Sequence, residues 1–195
     1  VVQGGAISVA GTTTISAAAG TGAITLNNTG NDFGSVVHLT GGTTEITDAN
    51  ALTLGNLATG DLTATSNGAL SLGQGSAASI NATSNNGTIV QSGPLAVAGT
   101  TTLNAGTGTI TLTQGGNSFG GALGITGGNT SIVAASGLTL SAGAVGGTLG
   151  LTSGGAITQT GALSVVGTSS FDATGAIALT DANNDFGGAV SLQGS

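Results

Sequence analysis

Apolar anchors recur along the chain at short, uneven intervals: Ile7, Ile15, Ile24, Val37, Ile46, Leu52, Leu62, Leu70, Ile80, Ile89, Leu95, Leu103 and Ile110. Around each anchor, small apolar residues alternate with Thr or Ser, as in Ala23-Ile-Thr-Leu26, Ala51-Leu-Thr-Leu54 and Gly137-Leu-Thr-Leu140. Period two is the spacing of a strand with one buried face, and no segment shows the three-to-four spacing of a helix. Gly, Asn, Ser and Asp gather between the anchors, where turns need side-chain-to-backbone bonds or glycine's conformational range. The pattern predicts many short strands joined by tight polar turns.

The same passage of sequence is written three times. Val2-Gln-Gly-Gly-Ala-Ile-Ser-Val-Ala-Gly-Thr-Thr-Thr-Ile returns as Val90-Gln-Ser-Gly-Pro-Leu-Ala-Val-Ala-Gly-Thr-Thr-Thr-Leu and as Thr158-Gln-Thr-Gly-Ala-Leu-Ser-Val-Val-Gly-Thr-Ser-Ser-Phe. Each copy runs on to Asn-(Asp/Ser)-Phe-Gly, at Asn31 to Gly34, Asn117 to Gly120 and Asn184 to Gly187. The copies occupy residues 2–89, 90–157 and 158–195, within a single segment, 1–195. Gln3 and Gln91 are 88 residues apart, but Gln91 and Gln159 only 68. The excess lies in one 19-residue stretch, Ser71 to Ile89, which carries its own apolar anchors.

A globular core does not absorb such an insertion, whereas a solenoid accepts one more coil because each layer touches only its neighbours. The insertion therefore measures the coil. With coils of about 20 to 23 residues, the shorter unit holds three, the longer four and the chain roughly nine. Three short strands per coil make a parallel β-helix, and stacking at about 4.8 Å gives a rod roughly 40 Å long. A narrow lumen accounts for four Phe and no Trp, Tyr or Met.

Composition narrows the biology by exclusion. There is no Lys or Arg, against seven acidic residues and a formal net charge of −7. Nucleic acid, anionic membrane surfaces and sulfated glycans all need cations to bind them, so none is an expected partner. Without cysteine there are no disulfides or thiolate metal sites. Thr, Ser, Asn or Gly interrupts every apolar run well short of the ~18 residues a membrane span requires, so no membrane insertion is expected. Trypsin has no residue to cut after, and even the urea-denatured chain is expected to survive it intact on a gel; any fragment would contradict that. Val1 and Ser195 both fall inside the repeat, so the chain reads as a segment of a longer protein.

Gly155-Ala-Ile-Thr-Gln-Thr-Gly-Ala-Leu-Ser-Val165, Gly99-Thr-Thr-Thr-Leu103, Asn184-Asp-Phe-Gly-Gly-Ala-Val-Ser-Leu192 and Thr47-Asp-Ala-Asn-Ala-Leu-Thr-Leu54 resemble the β-strand repeats of filamentous haemagglutinin-like large exoproteins. That resemblance covers essentially the whole chain. It implies a right-handed parallel β-helix, two-partner export across the outer membrane of a Gram-negative bacterium, and a place at the cell surface or outside it as a stalk or adhesin in adhesion or biofilm matrix. The implied partners are neighbouring β-helical repeats of the same or identical chains, and a host or matrix surface. No amino-terminal secretion domain, receptor-binding tripeptide or basic residue for heparin-like ligands is present, so adhesive specificity is not expected in these residues. End-to-end stacking into an extracellular filament is the alternative.

Candidate chemistry is thin, and no catalysis or cofactor is expected. His38 is the only imidazole, and no Cys, Lys or Tyr can pair with it. The carboxylates Asp32, Glu45, Asp48, Asp61, Asp172, Asp181 and Asp185 are scattered, unlike the paired acids of glycan-cleaving enzymes. Asp181, Asn183 and Asp185 place oxygens like the start of a calcium loop, but the Gly comes one position late and no Glu closes it, so an Asx turn is the expectation. Thr12 to Thr14 and Thr100 to Thr102 hint at a water-ordering ladder but return too rarely for one. The sequons at Asn27, Asn81, Asn86 and Asn129 are what a chain rich in Asn and Thr produces by chance. Phe33, Phe119 and Phe186 each sit in the longest gap between anchors (Leu26 to Val36, Leu112 to Leu123, Leu179 to Val190). A wide corner leaves space, so each ring is expected to turn inward while Gly34, Gly120 and Gly187 bend the backbone around it.

Overall fold

The computed structural model describes residues 1–195, the side chain of Ala19 excepted. It is all β: among the described residues there is no α-helix, and every strand pairing is parallel. The strands wind into a β-solenoid of about nine coils with three faces.

On one face Ile24 stacks on Thr44, Leu62, Ile80, Thr101 and Leu123 in succession. On the next, Leu52 leads through Leu70, Ile89, Ile110, Thr130, Leu149 and Ser169 to Val190. On the third, Ile15 leads through Leu39, Leu57 and Gly75 to Leu95. Alternation along each strand sends Ile, Leu, Val and Ala, with a few Thr and Ser such as Thr44, Thr101 and Ser169, inward to one axial core, and most Thr, Ser and Asn outward.

Coil length varies more than the expected 20 to 23 residues. Stacked partners are 18 residues apart from Asn56↔Gln74 to Thr65↔Thr83, and 24 apart at Thr13↔Val37. The strands set the cross-section, so the corners absorb the difference. Leu70 pairs with Ile89, which makes the inserted Ser71 to Ile89 one complete coil.

The repeat does not hold a whole number of coils, contrary to the three and four expected. From Ile24, four coils down the same face reach Thr101, yet Ile110, the residue equivalent to Ile24, lies one strand further on, in Ile110–Leu112. From Leu103, three coils through Ile125 and Gly143 reach Leu163, and its equivalent, Phe171, again lies on the following strand, Ser169–Ala173. Each copy is therefore turned by one face relative to the copy before it. The two units differ by one whole coil, so the turn is the same in both.

Corners are lined by glycines stacked on glycines. A Cβ on Gly87 would run into the carbonyl of Gly68, and one on Gly108 into that of Gly87. Close approach of successive backbones, rather than left-handed φ, fixes glycine at these two positions.

The core contains one recurring polar oddity. Thr13, Thr101 and Ser169 are equivalent in the three copies, and each hydroxyl is buried with no hydrogen-bond partner among the described residues. Thr101→Val keeps the shape and removes an unpaired polar group, so it is expected to raise stability by about 1 kcal/mol. A lower urea midpoint for the variant would show that the hydroxyl is bonded in solution.

Candidate functional site

The most elaborate arrangement in the molecule is a corner that occurs three times. In the second copy, Asn117 is fully buried. Its Nδ2 donates to the carbonyls of Leu112 (3.1 Å) and Val133 (3.0 Å) and to Gln91 Oε1 (2.8 Å). Its Oδ1 accepts from the Leu95 amide (3.0 Å) and from Gln91 Nε2 (2.7 Å). Gln91 Nε2 also donates to the Gly93 carbonyl. One amide side chain thus ties its own coil to the coils on both sides.

Asn31 makes the same set with Gln3, Ile7, Leu26 and Thr47. Asn184, half-buried, keeps the bonds to Gln159, Leu163 and Leu179 without one to a following coil. Burying a primary amide is tolerated because all its donors and its acceptor are matched. A fully engaged amide has nothing left to offer a ligand, so this corner works as a clip between coils.

The phenylalanines sit beside the clips. Phe33 and Phe119 are each only 3% exposed. They stack on Val9 and Val97 of the preceding coil, and Phe186 on Val165, so the three rings lie on three different faces. Phe186 is partly buried and meets Phe171 edge to face, with centroids 6.0 Å apart and planes at 85°.

The neighbouring glycines follow each ring directly, and two of them leave no room for a side chain. Gly34, Gly120 and Gly187 are not among the residues with positive φ, so left-handed backbone is not what bends the corner. Their amides donate to the carbonyls of Val9, Val97 and Val165, each at 2.8 Å. At Gly120 a Cβ would strike the Ala98 carbonyl, and at Gly187 it would come within 2.8 Å of that of Val166. At Gly34 the nearest atoms are at 3.4 Å, an ordinary contact. Glycine at the last two positions lets coils approach closely.

The remaining candidates are dispersed. Asp181 Oδ1 accepts from the amide (2.9 Å) and Nδ2 (3.2 Å) of Asn183, which is an Asx turn, while Asp185 lies exposed on the strand Asp185–Phe186. No three His, Cys, Asp or Glu residues come together as a metal site among the described residues. His38 Nδ1 accepts from the Asn56 amide (2.9 Å) across a bulge where Gly55 and Asn56 oppose one residue. Asp48, fully buried, accepts from the amides of Phe33 (2.8 Å) and Asn50 (2.7 Å), again a bond between coils.

The sequence reading used Gln3, Gln91 and Gln159 as markers and missed their partnership with Asn31, Asn117 and Asn184. The usable signal was a paired recurrence: two amide side chains returning together in every copy. The outward Thr residues do form one in-register ladder, Thr47, Thr65 and Thr83, continued by Asn104 and Thr126. It uses neither threonine run singled out in the sequence.

Parallel pairing, stacked glycine corners and clips between coils define a β-solenoid repeat protein. The chain belongs to the family Repeats of unknown function (DUF5649), which matches it over residues 1–40, 41–71, 59–126 and 127–193. The family's second and fourth matches begin at Gly41 and Gly127, equivalent residues in successive copies. No curated protein and no solved structure matches the chain. No helix among the described residues is long and apolar enough to cross a membrane.

Proposed function

We propose that this segment is a non-catalytic stalk within a large exported bacterial exoprotein, holding adhesive or matrix-forming regions away from the cell surface. The observation that carries the reading is the clip: in all three copies an amide side chain ties coils together, Asn31 and Asn117 fully buried and bonded to the coils on both sides, Asn184 half-buried and bonded to its own coil and the one before it. Polar groups that a binding site would leave free are used here to extend a rod. The likeness to filamentous haemagglutinin-like repeats supports an extracellular setting, with neighbouring repeats as the principal partners. The absence of Lys and Arg argues against nucleic acid and anionic surfaces.

Negative-stain microscopy of the 195-residue chain, paired with turnover assays on acidic and neutral glycans, tests the proposal. Separate straight rods about 43 Å long, without turnover, are expected. Long unbranched fibres would replace the stalk by an end-to-end filament. Glycan cleavage abolished by a carboxylate substitution would overturn the non-catalytic reading.

A further inference from the structure

The chain contains two Asn-Gly pairs, Asn67-Gly68 and Asn86-Gly87, stacked on each other at one corner of successive coils. In such pairs the glycine nitrogen, after losing its proton to base, attacks the asparagine Cγ. A C–N bond forms and ammonia leaves with the bonding pair of the old amide. Water then opens the cyclic imide at either carbonyl to give aspartate or isoaspartate. The reaction needs a free glycine N–H and an accessible amide; both asparagines are exposed, and the fold treats the two pairs differently at the glycine N–H.

At the second pair the Gly87 amide donates to the Ser84 carbonyl at 2.8 Å. Asn86 Oδ1 is held by the amide (3.0 Å) and hydroxyl (3.3 Å) of Thr107 in the next coil. At the first pair Gly68 makes no hydrogen bond through its N–H among the described residues. Asn67 is exposed like Asn86, and its Oδ1 likewise accepts a hydrogen bond, from Asn85 Nδ2 at 2.8 Å, so the glycine N–H is what separates the two pairs.

We propose that Asn67 is a site of spontaneous, fold-directed deamidation, and that Asn86 is protected by the same corner. The product adds a negative charge beside Asn85 to a chain that already carries −7. In its isoaspartyl form it lengthens the main chain between Leu52–Ser66 and Leu70–Ser71, where partners are held 18 residues apart.

The test incubates the folded 195-residue chain in mildly alkaline, low-salt buffer, then digests it with elastase and quantifies aspartyl and isoaspartyl peptides by mass spectrometry. Because a hydrogen bond must be released before Gly87 can react, Asn67 is expected to deamidate about tenfold faster than Asn86. In concentrated urea the two rates should converge. Gly68→Ala should slow the reaction at Asn67 alone. Equal rates in the folded chain, faster reaction at Asn86, or the same preference persisting in urea would overturn the assignment. The comparison of folded with urea-treated wild type stands even if the variant fails to fold.

Discussion

Phe119→Ala is expected to destabilise the rod by about 3 to 5 kcal/mol, the cost of lost burial plus a residual cavity in a core that cannot collapse around it. The ring is 3% exposed and stacks on Val97 below it. The coil bearing it is closed by strands on all faces, so neighbouring backbones have little freedom to fill the hole. Phe186→Ala should cost less, because that ring is only partly buried. Urea midpoints of the two variants check both statements. A Phe119→Ala change below about 1 kcal/mol would mean the ring faces solvent.

Asn117→Leu is expected to cost about 4 kcal/mol although it preserves volume and adds apolar surface. The substitution strips partners from the Leu95 amide, the carbonyls of Leu112 and Val133, and the Gln91 side chain. Each buried polar group left unpaired carries a penalty of about 1 to 3 kcal/mol, and these penalties are only partly additive. Hydrogen exchange at the Leu95 amide gives the specific reading: it should accelerate in Asn117→Leu and stay unchanged in a control such as Thr111→Ser on an outer face. Unchanged exchange together with unchanged stability would show that the clip does not join the coils.

Much of this architecture was legible in the sequence because a solenoid writes its layer spacing into insertions. The stretch Ser71 to Ile89 gave the coil, and Leu70 pairs with Ile89 as that reading requires. Alternation in segments such as Ala51-Leu-Thr-Leu54 marked strands correctly, since inward and outward positions of a strand differ in chemistry. The one-face turn between copies was not legible. Residue counts convert to coils only if coils are uniform, and these vary because corners, unlike strands, tolerate added residues.

The clip was hidden for a different reason. Asn31 and Gln3 are far apart in sequence, and an amide among glycines reads as a turn residue until the winding shows it pointing inward. Asp48 was hidden similarly: its buried bonds to the Phe33 and Asn50 amides have no carboxylate equivalent in the second copy, where the matching residue is Ala134. The glycines after Phe were legible as a recurring position, but the close approach of the next coil at Gly120 and Gly187 was not. A clash with the coil below leaves no mark in the local sequence.

The molecule is a stack of layers, each paired only with its neighbours, so the number of layers sets its length. Deleting Ser71 to Ile89 lets Leu70 take the place of Ile89, removes one coil and preserves the one-face turn between copies. Small-angle scattering and circular dichroism of the deleted chain measure this directly. Unchanged β content, cooperative unfolding and a rod shorter by about 4.8 Å are expected. Loss of β structure on removing the whole segment, while removal of only half of it is tolerated, would contradict the coil assignment and the stalk reading built on it.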